Sequence, residues 1–169
     1  MTDLKFCPKC GKETLQFDGK NKLYCNNCDF VMYHNCAAAV AVVIRYKDEI
    51  LLTKRNQNPG MGKLDLPGGF TDPEESAEET CSRELYEELG FMINKSKLKF
   101  IKSLPNIYPY KGIDYNTLDL FFEYEVESKT LIDKLETKEI SEIIWVKLSE
   151  LDLEEIAFES QKNFFRQYQ

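Results

Sequence analysis

Four glutamates and one arginine fall at fixed offsets around a single short helical segment, and they are the residues of this chain best suited to chemistry. Seven residues separate Glu75 from Arg83, and three further glutamates follow at Glu84, Glu87 and Glu88. Steps of three and four place those three carboxylates together on one side of a helix. Because one arginine cannot neutralise them, a divalent cation is needed to relieve their repulsion. The spacing therefore indicates a metal site, with a solvated acidic face as the ordinary alternative.

The helix that carries these residues has two candidate starts and one clear end. Asp72-Pro73 together with Glu75 can form an acidic capping box, and Ser76 serves equally well as the first cap. Gly90 ends the helix, as a glycine just past the last turn usually does. Helical spacing puts an apolar stripe on the core side: Ala77, Cys81, Leu85 and Leu89. The glutamates flank that stripe, so we expect them at the edge of the buried face, where an active-site floor would lie.

This helix and the turn before it resemble the signature of the Nudix hydrolase superfamily. The turn, Leu66-Pro67-Gly68-Gly69, lets the backbone approach a ligand closely. Every fixed position of the signature is filled: Gly69, Glu75, Arg83, Glu84, Leu85, Glu87, Glu88 and Gly90. Phe91 stands where the family prefers an aliphatic residue. The resemblance implies an α/β (α+β) fold, the α/β/α sandwich with a mixed sheet, and cleavage of a diphosphate linked to a nucleoside or similar group.

Mg2+ or Mn2+ is the cofactor that this resemblance implies. Mg2+ prefers oxygen ligands, and two or more such ions can clamp a pyrophosphate and lower the pKa of the attacking water. Glu84, Glu87 and Glu88 are the candidate ligands. The resemblance further implies that Glu88 or a downstream glutamate helps to deprotonate the water, and that Arg83 and Glu75 orient the ligands.

Two Cys-x-x-Cys pairs, Cys7 with Cys10 and Cys25 with Cys28, are separated by fourteen residues. This is the spacing of a tetrahedral zinc site, and a turn at Gly19 suits the hairpin of a zinc ribbon. Disulfides or a redox pair are the alternatives, but the N-terminus shows no apolar secretion signal. A four-thiolate site is closed, so we expect structural zinc and favour a stabilising appendage over a nucleic-acid-binding finger. The remaining cysteines are expected to be small buried thiols: Cys36 and Cys81.

Composition limits the binding partners and the cellular location that we expect. A net charge of −7 and a pI of about 4.9 make a poor nonspecific binder of nucleic acid, whose phosphates need Lys and Arg contacts. The longest apolar run, Cys36 to Ile44, has nine residues, whereas a membrane span needs ~20. We therefore expect a soluble, cytoplasmic protein that binds a small nucleotide and neither nucleic acid nor membrane. A homodimer remains open.

Strand-like runs begin at Ala37, so we predict a zinc ribbon at residues 1–35 and a Nudix domain at residues 36–169. The runs rich in β-branched and aromatic residues predict these strands: Val40–Tyr46, Ile50–Arg55, Leu64–Phe70, Lys97–Leu104, Thr117–Val126 and Ile143–Lys147. Ser149–Leu151 and Glu154–Tyr168 are predicted to be helical, and the aromatic residues of the second segment are available to pack on the sheet.

A zinc ribbon directly ahead of a Nudix domain is similar to the NADH pyrophosphatase branch of the superfamily. That branch carries a Ser-Gln-Pro-Trp motif after the signature. Here the corresponding stretch, residues 103–110, which we expect to be a loop, keeps Ser103 and Pro105 but has Leu104 and Asn106 at the Gln and Trp positions. The catalytic signature is thus complete, while the part that defines the substrate is altered.

The same resemblance implies several contact residues. Tyr33 and Phe70 match aromatic positions that stack on the base of the substrate, although Phe70 could equally be core. Glu139 matches a further metal-binding glutamate, with an ordinary exposed residue as the alternative. Arg55 is a candidate phosphate contact or an exposed arginine at the end of a strand. Two more candidates complete the substrate-binding set: Gly69 and Tyr108.

Together these features predict metal-dependent hydrolysis of the diphosphate bond in NADH, NAD+, ADP-ribose or a similar nucleoside diphosphate derivative, with release of a nucleoside monophosphate. One alternative is a nucleoside triphosphate pyrophosphohydrolase. Another is a noncatalytic regulator that binds a metabolite or nucleic acid. Such regulators typically lose glutamates of the signature, and this chain retains them all.

Overall fold

The computed structural model describes residues 4–132 and 139–168, and the chain separates into two units, Met1–Cys36 and Ala37–Gln169. The first unit is an antiparallel sheet of three strands: β1 (Leu15–Phe17), β2 (Lys22–Cys25) and β3 (Val31–Tyr33). In the turn between β1 and β2, Asp18 Oδ1 accepts the backbone N–H groups of residues 20, 21 and 22 at 2.8–3.0 Å. Gly19 there has a φ of 86°, so the hairpin predicted at Gly19 is confirmed.

The second unit is built on a mixed sheet of six strands. Its strands are β4 (Ala37–Tyr46), β5 (Glu49–Arg55), β6 (Leu64–Asp65), β7 (Lys99–Tyr110), β8 (Ile113–Glu125) and β9 (Ile140–Lys147). The order is β6-β5-β4-β8-β7, and β9 also pairs with β5. β4 and β8 run parallel, with Ala37 opposite Thr117 and Arg45 opposite Glu125, whereas the other pairs are antiparallel.

Helix α1 (Ala77–Leu89) carries the glutamate cluster and begins at the second of its two predicted starts. Ser76 is the N-cap: its Oγ accepts the Glu79 N–H at 3.3 Å, and Glu79 Oε2 accepts the Ser76 N–H at 2.9 Å. The start at Asp72 is therefore wrong: Glu75 Oε2 does accept the Asp72 N–H at 3.2 Å, but the helix begins only after Ser76. The predicted end is confirmed, since Gly90 is left-handed with a φ of 62°.

The core lies on both faces of the sheet because successive residues of β4 point to opposite sides. Val42 and Ile44 pack in one cluster with residues of α1: Cys81, Leu85 and Leu89. Ala41 and Val43 pack in a second cluster with Phe121 of β8 and with α2 (Glu159–Phe165). Phe164 of α2 stacks on Phe121 with ring centroids 4.3 Å apart. The predicted α/β/α sandwich with a mixed sheet is confirmed.

Short helical turns complete the described residues. They are 3-10 turns at Lys95–Lys97, Lys129–Leu131, Leu148–Glu150 and Leu153–Glu155. The continuous helix predicted over Glu154–Tyr168 is wrong, because the extended backbone of Phe158 separates the turn at Leu153–Glu155 from α2.

Two predicted elements beside the site also differ from the structure. The strand predicted at Leu64–Phe70 is reduced to β6 and one isolated bridge between Phe70 and Ala39, because the chain leaves β5 at the glycine turn and makes only spaced hydrogen bonds to β4. The loop expected at residues 103–110 is instead the end of β7, which forms a long hairpin with β8. Lys111 and Gly112 close that hairpin with φ angles of 49° and 79°, the positive values that a tight hairpin turn requires.

Within the described parts of the chain, the helices are all too short or too polar to cross a bilayer.

Leu85→Ala should destabilise the larger unit by about 2–5 kcal/mol, because Leu85 is fully buried and truncation leaves a cavity between α1 and the sheet. Chemical denaturation monitored by circular dichroism measures the loss. The neighbouring Tyr86 is 55% exposed, so Tyr86→Ala is the matched control and should stay within about 0.5 kcal/mol of the parent. Equal losses in the two variants would contradict the packing described for α1.

Candidate active site and zinc ribbon

The glycine turn ahead of α1 brings backbone against both the sheet and the helix. A Cβ on Gly68 would lie 2.1 Å from the carbonyl oxygen of Val40, and Gly68 has a φ of 148°. A Cβ on Gly69 would lie 2.4 Å from Glu84 Oε1. The Gly68 N–H donates to Glu88 Oε2 at 3.2 Å. Side chains at either glycine would therefore displace the strand or the glutamates.

Arg83 links the glutamates of the signature to one another. Its Nε and Nη2 donate to the two carboxylate oxygens of Glu75 at 2.8 and 2.9 Å. Its Nη1 donates to Glu84 Oε1 at 2.8 Å and to Glu87 Oε2 at 3.4 Å, and Nη2 reaches the carbonyl oxygen of Phe70 at 3.0 Å. The bond from Arg83 lowers the pKa of Glu75 to about 2. Glu75 is thus an anion that fixes the orientation of Arg83.

The two inner glutamates are costly to ionise. Burial raises the pKa of Glu88 well above its usual range, and the carboxylates of Asp65 and Glu84 add to the effect. Burial also raises the pKa of Glu84, with Arg83 opposing. Glu87, by contrast, is 56% exposed at its side chain. The site therefore concentrates negative charge where water does not stabilise it, which favours a cation.

These glutamates line a cavity of about 390 Å3 together with Glu139, which follows the segment 133–138. Glu139 is exposed, and its charge raises the pKa of both Glu84 and Glu88. Its backbone carbonyl accepts the Asn56 N–H at 2.7 Å, which anchors it beside the end of β5. The structure thus brings all four candidate ligands of the predicted Mg2+ or Mn2+ site to one cavity: Glu84, Glu87, Glu88 and Glu139.

Sequence reasoning missed two acids that line the same cavity, Asp65 and Asp119. Asp65 accepts hydrogen bonds from Arg55 and from Gln161 Nε2, and burial raises its pKa. Asp119 accepts from Thr117 Oγ1 at 2.7 Å and from Ser160 Oγ at 2.6 Å. The available signal was an acid flanked by leucines on both sides, in Leu64-Asp65-Leu66 and Leu118-Asp119-Leu120.

One wall of the cavity is aromatic. Tyr108 packs edge-on against Phe70 with centroids 5.3 Å apart and lies 5.7 Å from Phe158. The Arg55 guanidinium sits 4.8 Å over the Phe158 ring, pairs with Asp65, and is only 13% exposed at its side chain. The alternative of an exposed Arg55 is therefore wrong. Phe70 is 41% exposed and is not a core residue.

Tyr33 lies in the other unit, on β3, where its side chain is 56% exposed. Its predicted role in stacking stays a prediction.

The chemistry of the donors fits a hard divalent cation, because carboxylate oxygens are the ligands such ions prefer. Two guanidinium groups, those of Arg55 and Arg83, face a larger number of carboxylates in this cavity. Of the described residues, however, only the four cysteines bring three or more ligand atoms within 4.8 Å of one another. The glutamate oxygens do not converge to this extent, and those of Glu84 and Glu87 are engaged by Arg83.

The four cysteines predicted to bind zinc converge in the smaller unit. Cys7 Sγ lies 3.7 Å from Cys28 Sγ, and Cys10 Sγ lies 3.8 Å from Cys25 Sγ. A tetrahedral zinc site with bonds of about 2.3 Å has sulfur–sulfur edges of about 3.8 Å. A disulfide would need about 2.05 Å, so the disulfide alternative does not fit. The bond between the Thr14 hydroxyl and Cys25 Sγ, 3.0 Å long, lowers the pKa of Cys25 to about 6, which favours a thiolate.

Of the two cysteines outside this cluster, Cys81 is buried as predicted. Cys36 is exposed, so its predicted burial is wrong. It lies between β3 and β4, outside both sheets.

A mixed sheet between two helices, with a glutamate-rich helix after a Gly-Gly turn, defines the Nudix class of domain. The family model described as the NUDIX domain matches residues 34–168 of this chain. The chain therefore belongs to the Nudix hydrolase family, and within it resembles the NADH pyrophosphatase branch.

Two relatives illustrate that branch. The NAD-capped RNA hydrolase NudC of Haemophilus influenzae (strain PittGG) is 33% identical over 107 residues, which cover 62% of this chain and 40% of the relative. The protein of the same name from Pseudomonas syringae pv. syringae (strain B728a) is 28% identical over 147 residues, covering 87% of this chain and 49% of the relative. The chain thus spans about half the length of these relatives or less.

Solved structures show the same fold. A MutT NUDIX hydrolase from Burkholderia pseudomallei superposes with a TM-score of 0.68 at 21% identity, covering 80% of this chain and 99% of its own. A NUDIX hydrolase from Nitrosomonas europaea gives a TM-score of 0.65 at 22% identity and covers 98% of this chain and 92% of its own.

Cys25→Ser should abolish zinc binding, because it removes one of four converging thiolates. Elemental analysis of the purified protein should find about one zinc per chain in the parent and almost none in the variant. Cys36→Ser is the control, since Cys36 lies outside the cluster, and it should retain the metal. Full zinc content in Cys25→Ser would rule out the four-cysteine site.

Proposed function

We propose that this protein hydrolyses the diphosphate bond of a nucleoside diphosphate derivative such as NADH, NAD+ or ADP-ribose, using Mg2+ or Mn2+. The observation that carries the proposal is a single cavity whose lining combines two kinds of residue. The glutamates of the Nudix signature form its acidic part, and aromatic rings with Arg55 form its aromatic wall. A diphosphate joined to a flat base matches this lining, because the diphosphate suits the metal-binding glutamates and Arg55 and the base suits the aromatic rings.

Four residues would hold the divalent ions: Glu84, Glu87, Glu88 and Glu139. When bound, such ions neutralise the diphosphate and make the attacking water more acidic. Arg83 and Glu75 position these ligands. Arg83, which lies on α1, forms a bidentate pair with Glu75. Its Nη1 group also donates to Glu84 and Glu87.

The hydrolysis needs a group that accepts a proton, and Glu88 or Glu139 takes that role. The water oxygen attacks one phosphorus, and the bridging P–O bond breaks. The products are a nucleoside monophosphate and the other phosphorylated half. The Gly68 N–H, which donates to Glu88 Oε2, holds the Glu88 carboxylate with one oxygen engaged. Burial of Glu88 suits a group that must hold a proton in part of the cycle.

The aromatic wall recognises the base. Phe70 and Tyr108 already pack edge to face, and stacking on aromatic rings contributes ~1–3 kcal/mol per base. Tyr33 is proposed as a further stacking residue. Gly69 allows close approach to the diphosphate, and Arg55 supplies a cation for a phosphate oxygen while keeping its pair with Asp65.

The remaining proposals concern the setting of this domain. The zinc ribbon, residues 1–35, is proposed as a structural appendage or dimer element of the domain at 36–169. We assign the protein to the cytoplasm.

A second candidate substrate is the NAD-capped 5′ end of an RNA, because the relatives NudC carry that activity in their names. The cavity would then bind the cap alone. The net charge of −7 disfavours extended contacts to an RNA backbone.

A substrate panel with Mg2+ and with Mn2+ tests these assignments. It should contain NADH, NAD+, ADP-ribose, diadenosine polyphosphates, nucleoside triphosphates and a short NAD-capped RNA. We expect release of a nucleoside monophosphate from at least one of the first three. Release of pyrophosphate from triphosphates as the dominant reaction would replace the proposal with a triphosphate pyrophosphohydrolase. No hydrolysis in the whole panel would favour a noncatalytic regulator.

Glu88→Gln should lower kcat by at least ~100-fold on the best substrate of that panel while leaving the fold intact, because it removes a ligand or base at the buried end of the cluster. Steady-state kinetics and a thermal melt measure both effects. Glu78→Gln is the matched control: Glu78 lies on the exposed side of the same helix, away from the cavity lining. Near-parental turnover in Glu88→Gln would sink the assignment.

A further inference from the structure

A second depression, the distal groove, lies between β7 and the start of α2 and has a volume of about 620 Å3. It shares Asn106 and Phe158 with the glutamate-lined cavity. The Phe158 ring faces Arg55 and Tyr108 in that cavity. The two spaces are therefore neighbours that share these two residues.

The walls of the distal groove are rigid and apolar. Three prolines line it, Pro59, Pro105 and Pro109, together with Ile107 and Ala157. Ile107 is 58% exposed although it is a large aliphatic residue. Fixed proline rings around an exposed aliphatic side chain present a flat surface of the kind on which a ring or sugar can pack.

The rim of the distal groove supplies hydrogen bonds from neutral amides. Asn106, Asn116 and Asn163 line it, and Asn116 stands directly across the β7–β8 hairpin from Ile107. Each amide offers both donors and acceptors. This combination matches hydroxyl or carboxamide groups.

The charge of the distal groove excludes phosphate as its natural occupant. Among the described residues that line it, none is Lys or Arg, and Glu159 is the charged one. Arg166 pairs with Glu159 at 3.1 Å and with Asn163 Oδ1 at 2.5 Å. The Arg166 guanidinium is therefore already paired with the Glu159 carboxylate. A bound phosphate would have no cation in the groove to pair with.

The sizes of the two spaces indicate a divided substrate. The first cavity, about 390 Å3, lies toward the low end of the range for small-molecule sites, roughly 300–1,000 Å3. The distal groove adjoins it at Asn106 and Phe158. We infer that the distal groove binds the uncharged ring or sugar attached to the second phosphate of the substrate. This inference rests on the proposed function and assigns a binding place to the distal group of its substrates.

The experiment compares ADP-ribose, which carries a distal sugar, with ADP, which lacks one and serves as a competitive inhibitor. Ile107→Trp fills the groove and should raise the KM for ADP-ribose by at least about tenfold, while the inhibition constant of ADP stays unchanged. Asn116→Leu keeps the shape but removes the amide, and should raise the same KM about three- to tenfold. Ile113→Trp is the matched control on the same hairpin: Ile113 is 55% exposed and lies outside the groove lining.

The outcomes separate this inference from the proposed function. A parent protein that hydrolyses none of the diphosphates in the panel overturns the proposed function itself. A parent that hydrolyses ADP-ribose, with an unchanged KM in both groove variants, overturns the distal groove alone. The same holds if Ile107→Trp weakens ADP as much as ADP-ribose, because the groove would then not be specific to the distal group.

Discussion

Repulsion between carboxylates along one edge of α1 is the constraint on which the rest of the larger unit depends. Glu84 and Glu88 are buried enough that their pKa values rise, and Arg83 offsets only part of their charge. Buried like charges repel one another and so destabilise the packing of the helix. Such a cluster is therefore stable only if other contacts hold the helix on the sheet. The fully buried Leu85 and Leu89 anchor α1 to the sheet. The apolar side chains of α1 therefore hold its acidic side chains in place.

The floor of the cavity is held from the other face of the sheet. Helix α2 packs in the core through Phe164, and the same helix donates Ser160 to Asp119 and Gln161 to Asp65. Gln161 also accepts the Leu66 N–H at 3.0 Å, just before the glycine turn. One short helix thus fixes two buried acids and the start of the turn. Both helices of the sandwich act on the site, one by presenting charge and the other by supporting it.

The parts that could be predicted from sequence are those determined by nearby residues. The end of α1 follows from one glycine, and the cysteine cluster and the signature follow from fixed sequence spacings, although the cysteine sulfurs that meet are 15 and 21 residues apart. Asp65 and Asp119 were missed because their partners are remote: Ser160 lies 41 residues from Asp119, and Gln161 lies 96 residues from Asp65. A buried acid can be recognised only from the residues that donate hydrogen bonds to it. The strand predicted before the β7–β8 hairpin is too short because Pro105 and Pro109 argue against a strand. β7 tolerates both prolines because it is an edge strand of the sheet.

The two departures from the Ser-Gln-Pro-Trp motif carry different weight once β7 is a strand. Side chains alternate along it, so Leu104 and Asn106 share the face that turns toward α2. Leu104 packs against the core cluster of Phe121 and Phe164, where a leucine only adds apolar contact. Asn106 instead lines both the glutamate-lined cavity and the distal groove. Asn106 is therefore the departure from the motif that contacts the proposed substrate site, whereas Leu104 belongs to the core.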